Sequence, residues 1–229
     1  ANKNVDTRYI FISNPDTIYS NNFFSNIKDY INNKEFDFSI VGASYPDHDH
    51  YLSYGGFTND ATEKYKKNDY DKNGVKEVDW VVGCSMLIDL KRVKTKKLFD
   101  ENIFFFYEET DLCRRIKNEN GKIFNSERLI VKHLGQKGSI GSEERLKFEA
   151  EKFRNWHLMW SEFYYNKKHN GFIFSFRKIL GKLIRSFVKM IFFTIINNKE
   201  KKIIYKYRFL GIVNSIIGKK SWYRIKKNI

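Results

Sequence analysis

An α/β fold is predicted for the first two thirds of this chain. Short apolar runs alternate with segments of helical period, turn residues punctuate the junctions, and no internal repeat interrupts the series. Residues 8–13 (Arg-Tyr-Ile-Phe-Ile-Ser) read as a buried strand, being short and continuously apolar. Asn14-Pro15-Asp16-Thr17 ends it, since Pro15 cannot continue a central strand and Asn14 favours a turn. Ser20 is the expected N-cap of a helix reaching about Asn32, with Phe23, Phe24, Ile27, Tyr30 and Ile31 on its apolar side. Residues 36–44 form the next expected strand. Residues 45–75 are polar and rich in Asp, Asn, Tyr and Gly, a length that predicts a functional loop. Residues 78–90 are strand-like and interrupted by Gly83. A helix is expected over 109–120 with Gly121 as its C-cap. Two short strands, 123–124 and 129–131, precede a helix over about 143–166 that turns Phe148, Phe153, Trp156, Met159 and Trp160 inward.

With 229 residues, 41% of them hydrophobic and 17% aromatic, the chain holds one medium domain with a real core and an appendage. Its two cysteines, Cys84 and Cys113, have no metal-type spacing and read as reduced structural thiols of a cytosolic protein. Ala1-Asn2-Lys3-Asn4 leads into polar sequence without a secretory pattern. The charge is unevenly spread. Residues 167–229 carry 17 Lys/Arg against one acid, Glu200, a net +16; the other 166 residues carry 25 against 26. A neutral body with a basic tail reads as an anchoring device, so the expected division is a catalytic body over 1–166 and a tail over 167–229.

Three constellations carry chemistry. Asn14-Pro15-Asp16 puts a carboxylate just past a strand, at the sheet edge where open α/β folds bind ligands. Asp16 is a candidate ligand for Mg²⁺ or Mn²⁺, which accept carboxylate oxygen and pair with diphosphate; an ordinary turn accounts for the same residues. Glu108-Glu109-Thr110-Asp111 follows the aromatic run Phe104-Phe105-Phe106-Tyr107. Aromatic neighbours desolvate a carboxylate and keep it basic enough to abstract a proton. The structural alternative is helix capping by the same acids. The third is His133, followed by Gly135-Gln136-Lys137-Gly138-Ser139; there the glycines permit close backbone approach to phosphate and Lys137 supplies charge.

In this order and spacing the three resemble the nucleotide-sugar glycosyltransferases of glycosyltransferase family 2, especially the bacterial rhamnosyltransferase-like branch. The matching residues are Tyr9-Ile10-Phe11-Ile12-Ser13-Asn14-Pro15-Asp16-Thr17, Val78-Asp79-Trp80-Val81-Val82-Gly83-Cys84-Ser85-Met86-Leu87-Ile88, Phe99-Asp100-Glu101, Phe105, Tyr107-Glu108-Glu109-Thr110-Asp111-Leu112-Cys113, Arg115, Gly121, Val131, His133 and Ser139. The resemblance covers residues 8–139 and implies a GT-A type, Rossmann-like mixed sheet flanked by helices. It implies that Asn14-Pro15-Asp16 stands where the family has its metal motif, with Asp16 and His133 as ligands of Mg²⁺ or Mn²⁺. Glu109 then matches the catalytic base and Glu108 the acid before it. Asp111 and Arg115 shape the acceptor side and the helix, and Trp80 and Gly83 line the acceptor pocket. Lys97-Leu98 replaces the family's small glycine before Phe99-Asp100-Glu101. The family's first βαβ unit and nucleobase contacts fall before Ala1, so the resemblance implies an N-terminally truncated member.

The implied activity is inverting transfer from a UDP- or dTDP-sugar to a glycan or lipid-linked acceptor in bacterial surface polysaccharide assembly. In the tail, Lys178, Lys182, Arg185 and Lys189 form one helical stripe, with Phe176, Leu180, Leu183, Phe187 and Ile191 opposite. That pattern predicts an interfacial helix on an anionic leaflet, hence a cytoplasmic protein peripheral to the inner face of the plasma membrane. A helix packed on its own domain is the structural alternative. Two other functions fit the same residues: a catalytically incomplete, membrane-attached partner subunit, and a nucleic-acid binder using the tail. No nucleic-acid partner is expected, because the body adds no positive patch.

Overall fold

A computed structural model of the chain describes residues 6–44, 46–47, 50–54, 62–65, 70–95, 97–134 and 144–225. The chain is mixed α/β, with four helices among the described residues, and divides into two compact units. The first comprises Ala1–Asp100 with Glu109–Ser139, and the second Glu101–Glu108 with Ile140–Ile229. Residues 140–229, on both sides of the expected division at 166, fall in the second of these units.

The first unit is built on a mixed sheet of order β1-β8-β3-β9-β2, with β7 also paired to β9. Strand β1 (Tyr9–Ser13) is half-buried, not buried as expected, because it pairs with β8 (Ser85–Asp89) at one end of that order. Strand β3 (Ile40–Ser44) is antiparallel to β8 and parallel to β9 (Ile123–His133). The two short strands expected here are one long β9, bent where its register against β3 shifts between Ala43 and Ser44. Its final residues pair with β2 (Thr17–Tyr19), a strand hidden in what reads locally as a turn. The expected loop over 45–75 also contains strands: β4 (Pro46–Asp47), β5 (His50–Tyr54) and β6 (Thr62–Tyr65) form a small antiparallel sheet. Strand β7 (Val75–Glu77) follows.

Alternation along the strands builds two cores. Val41, Ala43 and Leu87 face α1 (Phe23–Asn32), which buries Phe23, Ile27 and Tyr30 against them. Ile40, Met86 and Ile88 face α2 (Glu108–Asn118), through Leu112, Cys113 and Ile116. Helix α1 starts later than expected, with Asn22 rather than Ser20 at its N-cap, and leaves Phe24 exposed. Helix α2 closes in a Schellman turn: the Gly121 N–H donates to the Ile116 carbonyl at 2.8 Å and the Asn120 N–H to Lys117 at 3.0 Å. Asn120, not Gly121, takes the left-handed φ of 61°. Gly121 is required for room instead, since a Cβ there would lie 2.4 Å from Ile116 Cγ2.

The second unit is helical. Helix α3 (Glu144–Ile195) is two segments joined at Gly171, whose φ of 81° breaks the spiral. Helix α4 (Lys199–Ile216) folds back on α3, capped by the Asn198 side chain, which accepts from the Lys201 N–H. Met159, Phe163, Ile179 and Ile212 form one core and Trp156, Trp160 and Tyr223 another. Much of the remaining interior is polar. Ser161, Glu162, Asn166, Ser175, Ser186, Asn214 and Ser215 are buried while Ile173, Ile184, Val188, Ile191 and Ile195 are exposed. Lys182 reaches inward to the buried Glu162 carboxylate at 2.5 Å, so the expected basic stripe is not wholly solvated. The apolar face set opposite that stripe is also divided: Phe176 and Leu183 pack on the core, while Leu180, Phe187 and Ile191 are exposed. Among the described residues, no helix is long and apolar enough to cross a membrane.

Candidate active site

The carboxyl ends of β1, β3 and β9 lie at the same end of the sheet, because the three strands run parallel with antiparallel β8 between β1 and β3. Ser13 pairs with Ser85, so Asn14 to Asp16 leave the sheet beside Gly83 and Cys84. The Asn14 N–H donates to the Cys84 carbonyl at 2.9 Å, and the Thr17 hydroxyl reaches the same oxygen at 3.3 Å. Strand β9 extends beyond β3 and brings His133 into register with Thr17. The Leu134 N–H closes that pairing on the Asp16 carbonyl at 2.9 Å. The backbones of Asp16 and His133, 117 positions apart in sequence, are thus immediate neighbours. The His133 side chain, and Lys137 with its glycine loop, lie outside the described residues.

Glu109 comes to the same place from α2. A Cβ on Gly83 would stand 3.3 Å from Glu109 Cβ, so the glycine lets the helix start press against the 83–84 turn. Burial raises the Glu109 pKa above its ordinary 4.5 and outweighs the opposing hydrogen bonds from the backbone N–H groups of Glu109, Gly83 and Thr110. Its Oε2 is shut from solvent without a hydrogen-bond partner among the described residues. A buried carboxyl held above its ordinary pKa has the basicity a general base needs.

The Cys84 thiol reports the convergence. Burial pushes its pKa up to about 12, and the charges of Glu109 and Asp16 both add to the rise. Cys113 is pushed to about 12 by burial, with Glu109 again contributing. Both cysteines are free, buried and held as unreactive thiols. Cys84 feels the charge of both Asp16 and Glu109, and its type gave no signal of that position.

The other candidates differ in what they touch. Asp111 is fully buried, and its Oδ2 accepts from Arg115 Nε at 2.8 Å. Arg115 also donates to Thr95 Oγ1 at 2.7 Å and to the carbonyls of Lys97 and Leu98 at 2.8 and 2.5 Å. The pair therefore pins the 95–98 segment onto α2, which uses most of the guanidinium's donors internally. Trp80 packs half-buried against the α2-side core, and Glu108 is the first residue of α2. Asn14 is exposed.

The approach to α2 is strained. Phe106 and Tyr107 adopt left-handed φ values of 65° and 70°, at about 1–2 kcal/mol each for L residues. Asp16, just past β1, carries a carboxylate of the oxygen type that suits Mn²⁺ or Mg²⁺. No cluster of three metal-ligating side chains stands among the described residues, of which the His133 imidazole is not one. Compared with known families and curated proteins, the chain matches no family model and no curated sequence.

Proposed function

We propose that this chain is an inverting, metal-dependent glycosyltransferase with a GT-A type, Rossmann-like sheet. It moves a sugar from a UDP- or dTDP-sugar to a glycan or lipid-linked acceptor in bacterial surface polysaccharide assembly. One observation supports the reading: the backbones of Asp16 and His133 are neighbours at a sheet end where Asn14 and Thr17 bond the Cys84 carbonyl, and Gly83, next to Cys84, packs against Glu109. That is the edge at which α/β sheets take their ligands. Asp16 and His133 are the residues that hold Mg²⁺ or Mn²⁺, which when bound offsets charge on a leaving diphosphate. Glu109 takes the proton of the attacking acceptor hydroxyl on its carboxylate, which burial keeps basic. Gly83 lets that carboxyl pack close to the 83–84 turn, and Trp80 offers the acceptor an apolar wall.

The helical unit gives the enzyme its place in the cell. Its polar interior, apolar exterior and basic charge support residence on the inner face of the plasma membrane, where lipid-linked acceptors are found. The reading is tested by turnover of a panel of UDP- and dTDP-sugars with Mn²⁺, comparing wild type with Glu109→Gln. The expected outcome is release of nucleoside diphosphate from one donor, lowered at least a hundredfold in the variant. Equal turnover in the two proteins, or none in either, removes the assignment.

A further inference from the structure

The sheet unit holds a cavity of about 250 Å³, lined only by its own residues. Arg8 and Tyr9 stand at the start of β1 and Asp89 at the end of β8, so the cavity lies at the opposite end of the sheet from Asp16 and Gly83. The five residues of β1 separate the two ends by about 17 Å. One wall is a continuous aromatic surface. Tyr9 stacks on Phe38 with centroids 6.2 Å apart, and Phe38 meets Phe36 at 5.2 Å. The rim is cationic. Arg8, Lys34 and Arg92 line the cavity with one carboxylate, Asp89, which leaves a net charge of +2. That carboxylate is buried and already engaged: it accepts from Arg8 Nε and Nη2 at 3.1 and 2.7 Å and from the Lys91 N–H at 3.0 Å. It therefore fixes the Arg8 fork in place. Arg92 gives its Nε to Asp37 at 3.1 Å. Nη1 of Arg8 and both Nη atoms of Arg92 make no hydrogen bond among the described residues, and Lys34 meets no carboxylate there.

We propose that this cavity binds a small phosphate monoester carried on a single ring. Such an ester brings close to two negative charges near pH 7, which match the charge of the lining. The free edges of the two guanidinium groups suit phosphate oxygens, and Lys34 adds a compact positive charge. The aromatic wall takes the flat face of the ring. The end of α1 also borders the cavity, but its last carbonyls carry only about half a negative charge. The volume falls below the roughly 300 Å³ at which sites for drug-sized ligands begin, so a nucleoside diphosphate sugar is too large for it. Occupancy of this cavity does not depend on the role of Glu109.

The test is calorimetric titration of the full chain with glucose 1-phosphate and with phenyl phosphate, against inorganic phosphate. At least one ester is expected to bind with a Kd of about 1 mM or tighter, and about tenfold or more tighter than inorganic phosphate. Lys34→Gln with Arg92→Gln is expected to weaken that ester about tenfold or more. Lys28→Gln with Lys91→Gln removes the same charge from exposed positions outside the cavity, and is expected to leave the Kd within about twofold. All four side chains are exposed, so both variants are expected to fold. The tighter ester, saccharide or aromatic, identifies the ring; either supports the site. Inorganic phosphate binding as tightly as both esters shows an adventitious ion only and overturns the proposal. So does undiminished binding by the Lys34 and Arg92 variant, an equal loss in the Lys28 and Lys91 variant, or no binding of either ester at about 10 mM.

Discussion

Glu109 is held in a state that costs the protein stability. Its carboxyl is raised above 4.5 by burial, against the pull of three backbone N–H groups. Below pH 4.5 both folded and unfolded chains carry the proton and the group contributes nothing. As pH rises through 4.5 the unfolded chain ionises first, so the folded state is progressively disfavoured until pH passes the raised value. The penalty reaches about 1.4 kcal/mol for each pH unit of elevation. Glu109→Gln keeps the shape and removes the proton equilibrium. The variant is therefore expected to melt higher than wild type at pH 7, with the gap closing toward pH 4; a gap that is pH-independent, or of opposite sign, would show that burial does not control this group. A gain in stability with loss of turnover is what an active-site carboxyl predicts and a capping carboxyl does not. The acid cluster made Glu109 legible in the sequence. Its elevation was expected from the aromatic run before it, but its contact with Gly83 was not legible, because the 83–84 turn lies far away in sequence. Asp111 looked as reactive as its neighbours until Arg115, one turn on, was seen to engage it.

Helix packing in the second unit depends on small residues. At Gly211 a Cβ would sit 2.3 Å from the Trp156 carbonyl oxygen and 3.3 Å from Met159 Cβ, so α4 and α3 touch nearly backbone to backbone. Gly211→Ala forces the helices apart and is expected to destabilise the chain by about 1–3 kcal/mol. Gly181, on the same two helices' outer surface, has nothing within 4 Å of a Cβ; Gly181→Ala is expected to stabilise by about 0.5–1 kcal/mol through helix propensity. Urea melts of the two variants separate close packing from propensity, and equal shifts would refute the contact. Local pattern was enough for β1, α1, β8 and α2, each of which has a clear apolar period. It failed for β2, three residues long behind Pro15, and for β9, whose bulge splits the apolar signal in two. Strands this short are set by distant partners, and no local window contains the partner. The helix expected to end near Asn166 runs on to a break at Gly171, beyond which the apolar and basic residues form the second segment of α3.

Charge and burial together decide what the second unit faces. The net +16 of residues 167–229 was visible in the sequence, but the orientation of the faces was not, because the buried line through Ser175, Ile179 and Ser186 is chosen by α4 and by Glu162. With that line inward, a broad apolar surface points outward: Ile173 is 69% exposed, Val188 56% and Ile195 76%. A helical unit with hydroxyls and amides inside and branched aliphatics outside is poorly suited to water, since each such side chain gains about 1.5–3 kcal/mol on leaving it. Arg177, Lys178, Arg185 and Lys189 lie on the same segment of α3, which adds attraction to anionic headgroups. Apolar insertion and charge are thus separable contributions. Ile184→Glu with Val188→Glu removes insertion and keeps most of the charge, and is expected to lower sedimentation with phosphatidylcholine–phosphatidylglycerol vesicles at least tenfold at any salt. Arg185→Gln with Lys189→Gln is expected to weaken binding only at low salt, by about 1 kcal/mol per charge. If both pairs behave alike, or if neutral phosphatidylcholine vesicles bind the wild type as well as anionic ones, the outward face is not an interfacial one.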